Sequence, residues 1–163
     1  MTDRGFDDDR GMESSTLGVF RSAKVVKGGK NFSFEALVAA GDRSGNIGLG
    51  YGKAKEVPAA VEKATKDARK RMVKVSLVGG TIPHEVTGKF GASSIRLVPA
   101  RPGTGIKAGR YVRPVLELVG IRDVLTKAYG STNKKNLSKA ALNALLSLQN
   151  KETIEQNRGV SLS

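Results

Sequence analysis

The sequence predicts an α+β fold in which one chain of 163 residues forms two small units. Three observations lead there. Gly28-Gly29 sits between Lys27 and Lys30 as a two-residue hairpin signal, and on the strand after it Phe32, Phe34, Ala36 and Val38 share one face. Val57, Val61, Ala64, Ala68, Met72 and Val75 recur at steps of three and four, which places them on one helical face. Gly79-Gly80 and Pro83 then mark a linker, beyond which strand and helix patterns begin again.

The elements follow in order. Residues 1–15 are polar and aperiodic, a flexible acidic tail. Val19 to Lys27 reads as a strand and Asn31 to Ala40 as its return, with Phe32, Phe34, Ala36 and Val38 on one face. After the turn residues 42–46, Ile47 to Tyr51 forms a third strand interrupted by Gly48 and Gly50. Pro58 lies near the start of the helix, where its missing N–H costs nothing. The small residues on the helical face imply close approach to the sheet. The first unit is therefore β-β-β-α over residues 16–80.

Residues 81–150 form the second unit. Glu85 to Lys89 and Ser93 to Val98 read as strands, and Pro99 to Gly109 as a Gly- and Pro-rich segment. Tyr111, Val115, Leu118 and Val119 suggest a helix, while Asp123 to Tyr129 suits either strand or helix. Ser138 is an apt N-cap for a last helix carrying Ala141, Leu142, Leu145, Leu146 and Leu148. Residues 151–163 are a C-terminal tail.

Composition narrows the function. The chain holds 28 Lys and Arg against 15 Asp and Glu, a formal net charge of +13. A net charge of about 2–8 suffices for the solubility of a small domain, so the excess points to a polyanion whose counterions the lysines displace. The tail is net acidic and both units are basic, so no single basic extension explains the charge. There is no cysteine, which excludes disulfides, thiolate catalysis and cysteine zinc sites. No apolar run approaches the ~20 residues that span a bilayer, and the start is unlike a signal peptide. The basic helix lacks the large apolar residues that would anchor it in a membrane.

Catalytic and cofactor readings find little to stand on. The single histidine, His84, lies in the linker without a second ligand-type partner. Gly48-Leu49-Gly50-Tyr51-Gly52-Lys53 fails the phosphate-loop spacing, with Ile47 in the place of the first glycine and Ala54 in that of the magnesium-binding hydroxyl. Gly103-Thr104-Gly105-Ile106-Lys107-Ala108 matches a dinucleotide fingerprint, with Asp123 at the position of a ribose-binding acid. Too little chain follows for a doubly wound nucleotide domain, and Arg101-Pro102 implies a turn before the first glycine. The expectation is no enzyme, no cofactor, no metal and no small-molecule substrate.

The basic residues form three groups. Arg21, Lys24, Lys27 and Lys30 surround the hairpin tip, where Gly28 and Gly29 permit the turn. Lys53 and Lys55 stand at the entry to the helix, a setting suited to phosphate. Lys63, Lys66, Lys70 and Lys74 form a stripe along the helix. Aromatics are only 5% of residues, and Phe32 and Phe34 are assigned to core. That disfavours a single-strand stacking platform and favours folded RNA read through shape and phosphates.

The runs Lys27-Gly28-Gly29-Lys30-Asn31-Phe32-Ser33-Phe34 and residues 48–60 resemble the bacterial small-subunit ribosomal protein of the S-five family. So do Gly103 to Gly109, Val115-Leu116-Glu117, Gly120-Ile121 and Lys127 to Asn133, and the similarity covers about residues 17–150 in order. The resemblance implies a double-stranded-RNA-binding-like first domain, a small α+β second domain, and a structural role on 16S-type ribosomal RNA in the cytoplasm. It implies small-subunit proteins four and eight as neighbours, a place near the messenger-RNA entry path, and an influence on decoding accuracy. It also implies that the loop matching Lys24 to Lys30 reaches toward the head–body junction of the subunit. Residues 10–20 give no sign of the helix that opens an ordinary double-stranded-RNA-binding domain, so the usual two-groove grip on free duplex is not expected. The rival readings are a nucleotide-dependent enzyme around Gly103 to Ala108 and a free-standing RNA-binding regulator.

Overall fold

Strand β1 (Glu13–Val26) runs antiparallel to β2 (Gly29–Gly41), which pairs with β3 (Asn46–Ala54). Helix α1 (Val57–Lys70) follows, and the short β4 (Val73–Lys74) returns to the edge of β3, giving a sheet in the order β1-β2-β3-β4. These elements come from a computed structural model, which describes residues 11–159. A second sheet has the order β5-β6-β8-β7: β5 (Val86–Phe90), β6 (Ser93–Pro99) and β8 (Val124–Gly130) are antiparallel neighbours, and β7 (Ile106–Lys107) is parallel to β8. The parallel pair is joined through α2 (Arg113–Val119), as a parallel connection requires a crossover. Helices α3 (Lys134–Leu146) and α4 (Lys151–Arg158) close the described chain.

The glycine run of β3 explains how α1 sits. A Cβ at Gly48, Gly50 or Gly52 would land on the carbonyl oxygen of Ala68, Ala64 or Ala60 respectively. Alternate strand residues are spaced ~6.8 Å and helix residues i, i+4 ~6.0 Å, so three glycines can register with three alanines. Helix and strand are in backbone contact, and the run that resembled a phosphate loop is a packing surface.

Strand β2 is buried on both sides: Ala36, Leu37, Val38, Ala39 and Ala40 are all inaccessible. Ala36 and Val38 meet Ala60 and Ala64 of α1. Leu37 and Ala39 join a larger core with Ile47, Ile95, Leu97, Val115, Leu116, Val119 and Leu145 that spans both sheets. Backbone bonds from Arg43 N to Leu118 O and from Gly45 N to Val119 O, both 2.9 Å, stitch the β2–β3 turn to the end of α2.

Several sequence expectations are corrected. Strand β1 begins at Glu13, inside the expected tail, because Glu13 pairs opposite Gly41 and binds Arg43 at 2.6 Å. Residues 1–10 of that tail lie outside the described residues. The helical face breaks off before Met72 and Val75, since the chain leaves helical geometry at Arg71 and Val73-Lys74 pairs with Ile47 and Asn46. Asn133, not Ser138, caps α3, its side chain accepting from Lys135 N at 3.0 Å. Ser138 is buried within the helix and donates to Lys134 O at 2.8 Å. Residues 151–158 of the expected C-terminal tail are helical, with an exposed polar surface that carries no apolar periodicity. The ambiguous segment from Asp123 to Tyr129 is a strand from Val124 onward.

Candidate nucleic-acid interface

The hairpin extends beyond its own sheet. Strand β3 pairs with β2 only from Phe34 to Gly41, so Ser22 to Val26 and Gly29 to Ser33 form a ribbon without a third strand. At ~3.4 Å per residue this ribbon projects roughly 15 Å. An isolated two-stranded ribbon is marginal in water. Here Ser22 and Ser33 share a hydroxyl–hydroxyl bond of 2.9 Å, and the Arg21 guanidinium lies 4.8 Å from the centre of the Phe32 ring. Phe32 is 49% exposed and does not belong to the core, because the ribbon has left the helix-covered part of the sheet. Phe34 does pack against the α1 side.

The turn itself is Lys27-Gly28, since Val26 pairs with Gly29. Gly29, at φ 143°, takes the backbone conformation that side chains disfavour. The register puts Arg21 and Lys30 on the α1 side of the ribbon and Lys24 on the other, so the tip presents cations in two directions. Among the described residues no carboxylate pairs with Lys24, Lys27 or Lys30.

The remaining expected residues are more mixed. Lys63 and Lys70 are exposed on α1, and Lys66 binds Glu62 at 2.7 Å in a surface pair. Lys55 is exposed in the turn before α1, whose N-cap Glu56 supplies no side-chain bond. Lys53 points away from α1 and lies 3.6 Å from Glu35. Lys74, on β4, is not part of the helical stripe.

Sequence reasoning missed the partner of Lys53. Glu35 accepts from Lys135 of α3 at 2.8 Å, and Lys135 also donates to the Tyr51 hydroxyl at 3.2 Å. The Lys135 ammonium stands 4.7 Å from the Phe20 ring centre and 4.8 Å from that of Tyr51. The hydrogen bond from Lys135 holds the Glu35 carboxyl down at about 2, and the same bond raises Lys135. Burial pushes the Tyr51 hydroxyl up. The signal in the sequence was an acid between Phe34 and Ala36 in the otherwise apolar run from Phe34 to Ala40.

The nucleotide-like loop is accounted for by its own hydrogen bonds. Asp123 accepts from Gly105 N at 2.8 Å, so its carboxylate secures the loop backbone. The loop leads into β7, and α2 begins only at Arg113, so the glycines do not open directly into a helix. His84 Nε2 accepts from Gln149 N at 3.2 Å, tying the approach to β5 to the segment after α3. Among the described residues no group of His, Asp and Glu gathers closely enough to hold a metal ion, and no helix is long and apolar enough to cross a membrane.

Comparison with known proteins follows the same two sheets. Residues 12–76 match the family model described as ribosomal protein S5, N-terminal domain, and residues 88–158 match ribosomal protein S5, C-terminal domain. The chain is 48% identical over 149 residues to the small ribosomal subunit protein uS5 of Aquifex aeolicus, covering 91% of this chain and 72% of that one. It is 48% identical over 158 residues to the uS5 protein of Rhodopirellula baltica, covering 94% and 89%. The uS5 protein of Persephonella marina is 47% identical over 150 residues, covering 91% and 77%.

Proposed function

We propose, for a chain that belongs to the ribosomal protein S5 family, that it is a structural constituent of the small ribosomal subunit whose β1–β2 ribbon docks on 16S-type ribosomal RNA. The observation that carries the reading is a set of lysines that find no carboxylate among the described residues, on a ribbon that β3 does not reach. A structural lysine finds a carboxylate, as Lys135 does. Lys24, Lys27 and Lys30 have phosphate as their natural counterion, with Arg21 behind them and Gly28-Gly29 shaping the tip. Lys55, Lys63 and Lys70 add backbone contacts from the α1 side. Lys53 and Lys66 contribute by exchanging their carboxylates for phosphate. Residues 16–80 would act as the RNA-gripping unit and 81–150 as the second unit of the assembled protein.

Family membership supports the finer placement: neighbours among small-subunit proteins four and eight, a position by the messenger-RNA entry path, and a contribution to subunit assembly and decoding accuracy. The chain performs no reaction of its own in this reading; its action is to hold RNA segments in register. The test is the full chain with K24Q, K27Q and K30Q together, bound to refolded small-subunit ribosomal RNA across a salt series. Removing one lysine–phosphate interaction flattens the salt slope by about one unit, so the expected change is about three units with the folded state intact. An unchanged slope would remove the ribbon from the interface. Failure of the wild-type chain to co-sediment at one copy per small subunit would overturn the ribosomal role.

A further inference from the structure

The second sheet has one face covered and one open. Gly88, Ile95 and Leu97 point inward, where α3 lies against β5 and β6. The opposite face carries no element of the described chain, and its side chains fall into cross-strand rows. Thr87, Arg96 and Lys127 form one row across β5, β6 and β8. Lys89, Ser94 and Tyr129 form the next. On the other side Leu125 stands beside Lys107 of β7.

Four cations, two aliphatic hydroxyls and an exposed tyrosine thus share one face of the sheet, and no carboxylate occupies a position within these rows. Glu85 stands just before β5 and is turned onto Arg96 at 2.6 Å. Tyr129 is 50% exposed and Leu125 39%. Adjacent strands lie ~4.8 Å apart and alternate residues ~6.8 Å apart, a spacing that lets neighbouring cations address successive phosphates. An acidic protein could meet the charge. A flat ring set between cations and hydroxyls fits a stacked base with its flanking backbone better.

We propose that this open face of the second sheet is a further RNA-contact surface, taking phosphates on Lys89, Arg96, Lys107 and Lys127 and one unpaired base on Tyr129. It rests on the reading that the chain binds ribosomal RNA, and it adds a site on the unit that lacks the ribbon. Binding would exchange the Glu85 contact of Arg96 for a phosphate.

The experiment uses the full chain and refolded small-subunit ribosomal RNA, with the ribbon variant K24Q/K27Q/K30Q measured in parallel. Lys89→Gln with Lys127→Gln should flatten the salt slope by about two units. Tyr129→Leu should leave the slope unchanged and weaken binding by roughly five-fold or more, the effect expected for one stacked base. A melting temperature for each variant separates a weakened surface from an unfolded chain. If the ribbon variant flattens the slope and the K89Q/K127Q variant does not, the ribbon reading stands and this face is not an RNA site. If neither changes it, the RNA reading of both surfaces falls. If K89Q/K127Q keeps full RNA binding but no longer retains a small-subunit protein in reconstituted particles, the face is a protein-docking surface and the proposal is overturned.

Discussion

The hairpin tip and the seam between the two sheets are both rich in lysine, and they use it in opposite ways. At the seam, Lys135 is bonded to Glu35 and Tyr51 and flanked by two aromatic rings. At the tip, Lys24, Lys27 and Lys30 find no carboxylate among the described residues and are exposed. The difference is one of surroundings and not of residue type. A lysine beside a half-buried acid is consumed in holding the fold, and a lysine on an unsupported ribbon keeps its charge for a partner. Counting cations along the sequence therefore overstates how many are left without a carboxylate, and the internal pairings show which of them stabilise the protein itself.

Glycine repeats the contrast, and a substitution there should have the largest effect. At Gly50 an added methyl would collide with Ala64 O and the Ala68 backbone, neither of which can move without displacing α1. Gly28 has nothing within 4 Å of such a methyl. Gly50→Ala should cost about 3 kcal/mol or more by separating strand from helix. Gly28→Ala should cost less than about 0.5 kcal/mol. Urea denaturation of the two variants measures the gap. Equal costs would mean that β3 and α1 are not in backbone contact.

That close packing was only half legible in the sequence. Small residues at helical spacing announced an approach to the sheet, but Gly48 and Gly50 read only as interruptions of the third strand and Gly52 fell outside it, and nothing local says that the two sets face each other. The α+β class and the order of the first three strands could be read, because period and turn chemistry are local properties. What escaped depended on partners distant in sequence. The strand nature of Glu13 to Ser15 rests on pairing with Gly41 to Ala39, and the seam rests on Lys135 meeting Glu35 across a hundred residues. Phe32 was misplaced for the same reason: alternation puts it on the face of Ala36 and Val38, but the helix that buries them does not extend over the ribbon. Among the basic residues, the placement of Lys24, Lys27 and Lys30 around the hairpin tip was legible because a turn signal is local, while Lys53 was not recognised as paired because its acid lies on the neighbouring strand.

The seam gives an effect of intermediate size with a defined pH dependence. The Glu35 carboxyl is lowered from 4.5 to about 2, chiefly by the hydrogen bond from Lys135. A depressed carboxyl contributes stability that is fully present above its unfolded value and is lost as pH falls toward the folded one. The window is therefore pH 4.5 down to about 2. The full shift would correspond to about 3 kcal/mol. Lys53 and Lys135 keep 55% and 35% of their side chains exposed, and water there screens the pair to about 1–2 kcal/mol. Glu35→Gln should lower stability by that amount at pH 7 and by less than half of it at pH 3. Chemical denaturation at both pH values tests it. A deficit that does not shrink in acid would show that shape, and not charge, holds the seam.

The smallest effect belongs to the tip and sharpens the comparison most. Phe32→Leu removes the ring beneath Arg21 and leaves an apolar side chain in its place. A cation–ring contact at an exposed site is worth about 0.5–1 kcal/mol, and the global fold gains little from the ribbon, which lies beyond the shared core. Thermal unfolding should therefore shift by only a few degrees, as about 1 kcal/mol does in a chain of this size. Amide exchange should respond more strongly and locally, with faster exchange from Ser22 to Val26 and from Gly29 to Ser33 and unchanged protection in β3. If exchange accelerated across β2 and β3 as well, the ribbon would be part of the cooperative core, and the separation between a holding seam and a reaching tip would not survive.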